Sequence, residues 1–150
     1  MKAKIGLLLL TPALFLLNSH ITAQAKLLPS SDFYYTGHIT PKSYRGTWYN
    51  KDRQVGLSKI VIKKNAYKVF RREHGKWYID SNLTGKKLFV YRWKSDHHKW
   101  YGFYAYNEDD LSFYRKVSKK YKGKKLPALY FVNNDTYYHS LKVASQKISN

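Results

Sequence analysis

Hydrophobic and polar residues alternate in short runs over residues 44–143. In the run Leu57–Lys63, Ile60 and Ile62 occupy one set of alternate positions, while Lys59 and Lys63 occupy the other. Because successive side chains of an extended chain point in opposite directions, this pattern predicts a strand with one buried face. Aromatic and β-branched residues fill most of the other runs, which is typical of strands.

Turn-forming residues separate the runs at regular intervals, for example at Asn65-Ala66, His74-Gly75 and Asn82–Gly85. Helical spacing is confined to residues 140–148. We therefore predict an all-β domain over residues 44–143, an antiparallel meander of about 8 short strands that forms a small barrel or a strongly curved sheet.

Several predicted strands carry large side chains on both faces. In residues 88–93, three aromatic residues alternate with Leu88, Val90 and Arg92. One face would fill a core, and the aromatic residues of the other would either pair across strands or form a platform for sugars or bases. Gly102 leaves a gap in a neighbouring strand, where a ligand could approach the backbone.

Residues 1–25 have the pattern of a cleaved signal helix. Lys2 and Lys4 precede the apolar run Ile5–Leu17, and Ala23-Gln24-Ala25 provides the small residues that a signal peptidase requires. The run is shorter than the roughly 20 residues of a comfortable membrane span. The alternative to cleavage is an uncleaved anchor.

Residues 26–43 are polar and contain Pro29, Gly37 and Pro41, so we predict a flexible N-terminal arm. The aromatic residues Phe33–Tyr35 would attach part of this arm to the domain. Residues 144–150 are predicted to be a C-terminal tail. We expect no membrane span in the mature chain.

Positive charge dominates the composition, with 28 lysine and arginine residues against 9 acidic residues and a net charge of +19. Without Lys2 and Lys4, the predicted mature chain has a net charge of +17. A net charge this high indicates the kind of partner rather than the fold, and it favours polyanions as binding partners. For an exported protein these are anionic wall polymers, lipid headgroups and acidic glycans, with nucleic acid secondary.

The chain contains no cysteine. A lipid-anchored bacterial precursor needs a cysteine at its cleavage site, and small exported eukaryotic domains usually carry disulfides. We therefore expect a secreted protein of a Gram-positive-type bacterium, associated with its cell wall.

The triplet Gly46-x-Trp48 at the head of the meander resembles the opening strand of lipocalins and the wider calycin families. That resemblance implies a small barrel with a tryptophan at one end and a basic residue from a late strand packed on it, for which Arg115 has the right position. The segment Arg45–Tyr49, in a lysine- and tyrosine-rich chain, is also similar to uncharacterised small basic exported proteins of lactic acid bacteria. The composition resembles wall-anchoring domains of surface-layer proteins, which implies binding to anionic wall polymers.

The most concentrated charge lies between Arg115 and Lys125, with seven cations in eleven residues and no acid. Its cations are Arg115, Lys116, Lys119, Lys120, Lys122, Lys124 and Lys125. We predict a flexible, solvated loop that binds polyanions and joins the strand ending at Val117 to the strand containing Leu129. The alternative is a loop that only keeps the protein soluble.

A second function remains open, in which the barrel carries a small apolar or sugar ligand in an aromatic cavity. The cavity would be lined by Trp48, Trp77, Phe89, Trp93 and Trp100.

No catalytic motif is present: the chain lacks a nucleophile elbow, a zinc-protease helix, a phosphate-binding glycine loop and a cysteine nucleophile. We predict a non-enzymatic protein without a cofactor, although a glycosidase with two converging carboxylates stays open. Asp96-His97-His98 is read as an exposed turn rather than a metal site, because adjacent side chains diverge on an extended chain.

Overall fold

Ten antiparallel strands form one sheet in the computed structural model, which describes residues 32–94, 97–105 and 113–147. The strands are β1 (Phe33–Gly37), β2 (Gly46–Asp52), β3 (Gly56–Lys63), β4 (Ala66–Glu73), β5 (Lys76–Thr84), β6 (Phe89–Trp93), β7 (Trp100–Tyr104), β8 (Phe113–Tyr121), β9 (Lys124–Phe131) and β10 (Thr136–Tyr138). A helix, α1 (Leu141–Gln146), follows β10, and short 3-10 turns cover Lys42–Tyr44 and Gly85–Lys87.

The strands lie in the order β1-β6-β7-β8-β9-β10-β2-β3-β4-β5. Two meanders, β2–β5 and β6–β10, are joined where β10 pairs with β2 through Tyr138 and Tyr49. The predicted all-β, strongly curved antiparallel sheet is confirmed, with ten strands instead of about eight.

Contacts across the concave face show how strongly the sheet curls. Tyr67 on β4 and Tyr114 on β8 are separated by four strands, yet their hydroxyl oxygens lie 2.8 Å apart and share a hydrogen bond. In a flat sheet these strands would be about 24 Å apart. The ring of Tyr67 also stacks on Phe103 of β7 at a centroid distance of 5.3 Å. The sheet is therefore a half-barrel closed over its own side chains.

The concave face is filled by a main core of aliphatic and aromatic residues. Its buried members are Tyr44, Trp48, Ile60, Ile62, Tyr67, Leu83, Leu88, Val90, Phe103, Tyr114, Leu129 and Tyr137. Ile60 and Ile62 point into this core, while Lys59 and Lys63 remain partly or fully exposed. The alternation in this run is confirmed.

The convex face carries two further clusters. Tyr91, Trp100, Tyr104 and Phe113 are buried together on β6, β7 and β8. The ring of Tyr104 lies over Gly102, where a Cβ atom would be only 2.6 Å from the Tyr104 Cζ atom. The gap predicted at Gly102 is therefore filled by the protein's own side chain. Around α1, the third cluster contains Ala128, Tyr138, Val143 and Ala144.

Part of the predicted N-terminal arm belongs to the sheet. Residues 33–37 form β1 and pair with β6, and Phe33 and Tyr35 pack against the second cluster. The aromatic attachment expected for this segment is therefore present. At the other terminus, buried Ala144 lies inside α1. The predicted signal peptide and residues 26–31 lie outside the described residues, and no helix within those that are described is long and apolar enough to cross a membrane.

The Gly46-x-Trp48 triplet has a clear packing role. The imidazole of His139 stacks on Trp48 at a centroid distance of 3.5 Å, and its Nδ1 lies 2.8 Å from the Thr47 carbonyl oxygen. Gly46 has a φ of +136°, and a Cβ there would lie 2.8 Å from the His139 Cε1 atom. Only glycine leaves room for this ring. The Trp48 indole donates a 2.8 Å hydrogen bond to the Tyr44 carbonyl.

The expectation that Arg115 packs on Trp48 was wrong, because the residue on the indole is His139. Neighbouring Tyr114 points into the main core, so Arg115 points to the convex face. There its guanidinium carbon lies 5.0 Å from the ring centroid of Trp100.

The Gly46→Ala substitution should lower the free energy of unfolding by about 2 kcal/mol or more, since the new methyl group meets both a disfavoured φ and the His139 ring. Urea denaturation would measure the loss. Gly56→Ala is the matched control, because Gly56 has a φ of +82° but open space around its Cβ position. If both substitutions lower the free energy of unfolding equally, the packing role of Gly46 against His139 is contradicted.

The folded protein should lose stability between about pH 10 and pH 12. Burial raises the pKa of Tyr44 and of Tyr137 to about 12 and that of Tyr114 well above its ordinary value of 10. The folded state then keeps protons that the unfolded state releases, so the stabilisation is complete below pH 10 and is lost as the pH rises through 12. Tyrosinate absorbance should rise in two steps, the second coinciding with unfolding. Tyr137→Phe should remove one buried group from the second step; a single step for all 15 tyrosines without unfolding would contradict this.

Candidate polyanion-binding surface

The cationic run Arg115–Lys125 is a regular β-hairpin. β8 and β9 pair from Tyr114 opposite Phe131 to Tyr121 opposite Lys124, and the turn consists of Lys122 and Gly123 with φ values of +46° and +77°. Two consecutive positive φ angles are typical of the tight turns that match strand twist. The predicted flexible loop was therefore wrong. We refer to residues 115–125 as the cationic hairpin.

Apolar residues hidden among the lysines explain the regular structure. Val117 and Tyr121 on β8, together with Leu126 on β9, pack against the cluster around α1. They alternate with exposed Lys116 and Lys120. The strand pattern thus continues past Val117, although the density of charge obscures it in the sequence.

The seven predicted cations lie on both faces of the hairpin. By strand alternation, Arg115, Lys119 and Lys124 share the convex face, Lys116, Lys120 and Lys125 share the other, and Lys122 is in the turn. Lys116, Lys120, Lys122, Lys124 and Lys125 are exposed, whereas Arg115 and Lys119 are partly buried. Among the described residues, ion pairs join Arg71 to Glu73 at 2.8 Å and to Asp80 at 3.4 Å, and none involves the hairpin.

Aromatic rings fix the two partly buried cations. The Arg115 guanidinium carbon lies 5.0 Å from the Trp100 centroid and 5.1 Å from the Tyr130 centroid, and Lys119 Nζ lies 5.3 Å from Tyr130. Such contacts stabilise a cation by about 0.5–1 kcal/mol at exposed sites and more where water is excluded. Arg115 and Lys119 therefore belong to the framework, and the five exposed lysines are the ones available to a ligand.

A second concentration of charge comes from three segments that are distant from one another in the sequence. Thr40 donates from its amide to the Lys64 carbonyl at 2.9 Å and from its hydroxyl to the Lys63 carbonyl at 2.7 Å. The Gly85 amide donates to the Asn65 carbonyl at 2.9 Å. These bonds bring together the cations that we call the end cluster: Lys42, Arg45, Lys63, Lys64, Lys86 and Lys87.

The five residues predicted to line a ligand cavity lie in three groups. Trp48 is in the main core, while Phe89, Trp93 and Trp100 belong to the second cluster on the other face. Trp77 lies on β5 beside Tyr49 at a centroid distance of 6.3 Å. They do not face one common space. A cavity of about 80 Å³ between Leu126, Tyr138, His139 and Val143 is well below the roughly 300 Å³ of a typical ligand site.

Acidic residues in the described part of the chain have structural partners. Asp52 accepts hydrogen bonds from the Gln54 and Val55 amides at 2.6 and 2.8 Å, and these bonds lower its pKa. It is thus a turn-forming carboxylate. No group of three or more potential metal ligands occurs within the described ranges, and Asp96 lies outside them.

Comparison with known proteins gave no match to a family model, to a curated protein or to a solved structure. The function therefore has to be argued from the side chains themselves.

Lys120→Gln should stabilise the protein by about 0.2–1 kcal/mol at low salt, because Lys120 and Lys125 are directly opposed across the hairpin. The gain should fade in about 1 M salt, where the screening length is near 3 Å. Urea denaturation at several salt concentrations would measure it. Lys68→Gln is the control, since Lys68 is opposed by Val61 and Asn82; equal gains for both variants would contradict a local repulsion.

Proposed function

We propose that this protein is an exported, non-catalytic domain that binds anionic polymers of the cell envelope through the exposed lysines of the cationic hairpin. The observation that carries the proposal is a regularly paired hairpin with five exposed lysines and no carboxylate partner among the described residues. Strand pairing holds their backbone in place, so binding does not have to order a loop.

The energetics favour reversible attachment. A lysine close to an anionic surface contributes about 1 kcal/mol at best, and this attraction fades within about 8 Å at physiological salt. Several such contacts on one hairpin together give measurable affinity for a polyanion, and this affinity remains sensitive to salt.

Wall polymers fit the predicted location better than nucleic acid. The signal-like sequence of residues 1–25 supports export, and the polyanions that an exported protein of such a bacterium would meet are wall polymers and acidic glycans. The chain's net charge of +19 supports attraction to any of them.

Retention on immobilised wall teichoic acid across a salt gradient tests the proposal. A hairpin variant with Lys116, Lys120, Lys122, Lys124 and Lys125 changed to glutamine should elute at much lower salt than the unchanged protein. Its plot of log affinity against log salt should also be shallower, because fewer counterions are released.

The matched control removes the same charge from the end cluster, with Lys42, Lys63, Lys64, Lys86 and Lys87 changed to glutamine. This variant should elute close to the unchanged protein. Equal loss in both variants would indicate attraction by net charge alone, and a hairpin variant that elutes like the unchanged protein would place the site elsewhere. No retention of the unchanged protein at low salt would reject the function.

A further inference from the structure

The convex face of β2–β5 carries a group of aromatic and basic side chains that meet around Trp77. Lys59 Nζ lies 4.5 Å from the Trp77 ring centroid and 4.3 Å from that of Phe70. The Arg72 guanidinium carbon lies 5.8 Å from Trp77, and the Tyr49 ring centroid lies 6.3 Å from it. We call these five residues the aromatic platform.

Strand register explains why residues so distant in the sequence meet. Tyr49 is opposite Lys59 on β3, and Lys59 is opposite Phe70 on β4. Arg72, two residues after Phe70 on the same face, is opposite Trp77 on β5. The five side chains therefore occupy adjacent positions on four strands.

The platform is accessible and keeps its positive charge. Arg72 is exposed and the other four members are partly exposed, with neighbouring Ile79 half-exposed. The acidic residues of β4 and β5, Glu73 and Asp80, both form ion pairs with Arg71. Lys59 and Arg72 consequently form no ion pair with a described carboxylate.

We propose that the aromatic platform binds the sugar rings of an anionic glycan, with Trp77 and Ile79 contacting the ring and Lys59 and Arg72 pairing with its carboxylate or phosphate. This inference rests on the proposed function and adds a substrate class to it. Tryptophan, tyrosine and arginine are the residues that most often dominate binding energy at interfaces. The cationic hairpin supplies charge, whereas the platform also supplies flat apolar surface.

A glycan fits the platform better than single-stranded nucleic acid. A sugar unit brings its charge and its apolar C–H surface side by side. This matches the platform, where Lys59 and Arg72 lie close to the partly exposed Trp77 and the half-exposed Ile79. The predicted export of the chain also favours glycans.

Binding to four probes tests the inference: hyaluronan as an anionic glycan, inorganic polyphosphate as charge without rings, dextran as a neutral glycan, and oligothymidylate. Trp77→Leu should weaken hyaluronan binding about fivefold or more, with the salt dependence unchanged, because one stacking contact is lost. Its polyphosphate binding should stay within about twofold, and dextran should bind weakly to both proteins. Titration calorimetry would measure each affinity.

Tyr78→Leu is the matched control, because Tyr78 precedes Ile79 on the same strand, is 45% exposed and lies off the platform face. It should leave hyaluronan binding unchanged. If Trp77→Leu does not fold, Arg72→Gln replaces it and is compared with Lys76→Gln. Arg72→Gln should weaken hyaluronan binding more than Lys76→Gln does.

The outcomes separate this inference from the proposed function. If the unchanged protein binds neither hyaluronan nor polyphosphate at low salt, the polyanion function fails. The protein could also bind both probes while the platform variants bind hyaluronan as tightly as their controls do. It could also bind both while the platform variants lose affinity for hyaluronan and polyphosphate equally. In either case recognition of the sugar ring fails and the polyanion function stands. Tighter binding of oligothymidylate than hyaluronan, with the same dependence on Trp77, would replace the glycan with nucleic acid.

Discussion

The whole structure depends on contacts that close the concave face of the sheet. The hydrogen bond between Tyr67 and Tyr114 and the stacking of Tyr67 on Phe103 join β4 to β8 and β7, which pairing between neighbouring strands cannot do. Large rings fill much of the interior of the half-barrel. The exposed lysines of the cationic hairpin lie on both of its faces.

Aromatic rings also take over a role that carboxylates have in most proteins. In the described part of the chain, eight cation–ring contacts stand beside two contacts of a single arginine with acidic residues. A ring steadies a cation by about 0.5–1 kcal/mol without cancelling its charge. Lys59, Arg115 and Lys119 are held this way. These rings thus order the cations that they contact without neutralising them.

The sequence predicted the sheet better than it predicted the site. Alternation in β3 identified its buried face, because apolar and polar positions there differ clearly. It failed in the cationic hairpin, where Val117 and Tyr121 are too few among lysines to reveal a strand. The partner of Trp48 was misplaced because strand alternation in β8 turns Arg115 outward, while His139, directly after β10, stacks on the indole. The end cluster arises from pairing between distant segments, which no local pattern contains.

In the proposed function, the geometry that presents the hairpin lysines to a polyanion would also weaken the free protein. Directly opposed Lys120 and Lys125 have Cβ atoms roughly 5 Å apart, which is less than the screening length of about 8 Å at physiological salt. Their charges repel each other, and in the proposed function both lysines would act on one stretch of a negative polymer. Such binding would remove the repulsion, so a polymer that favours the folded hairpin would stabilise the whole half-barrel.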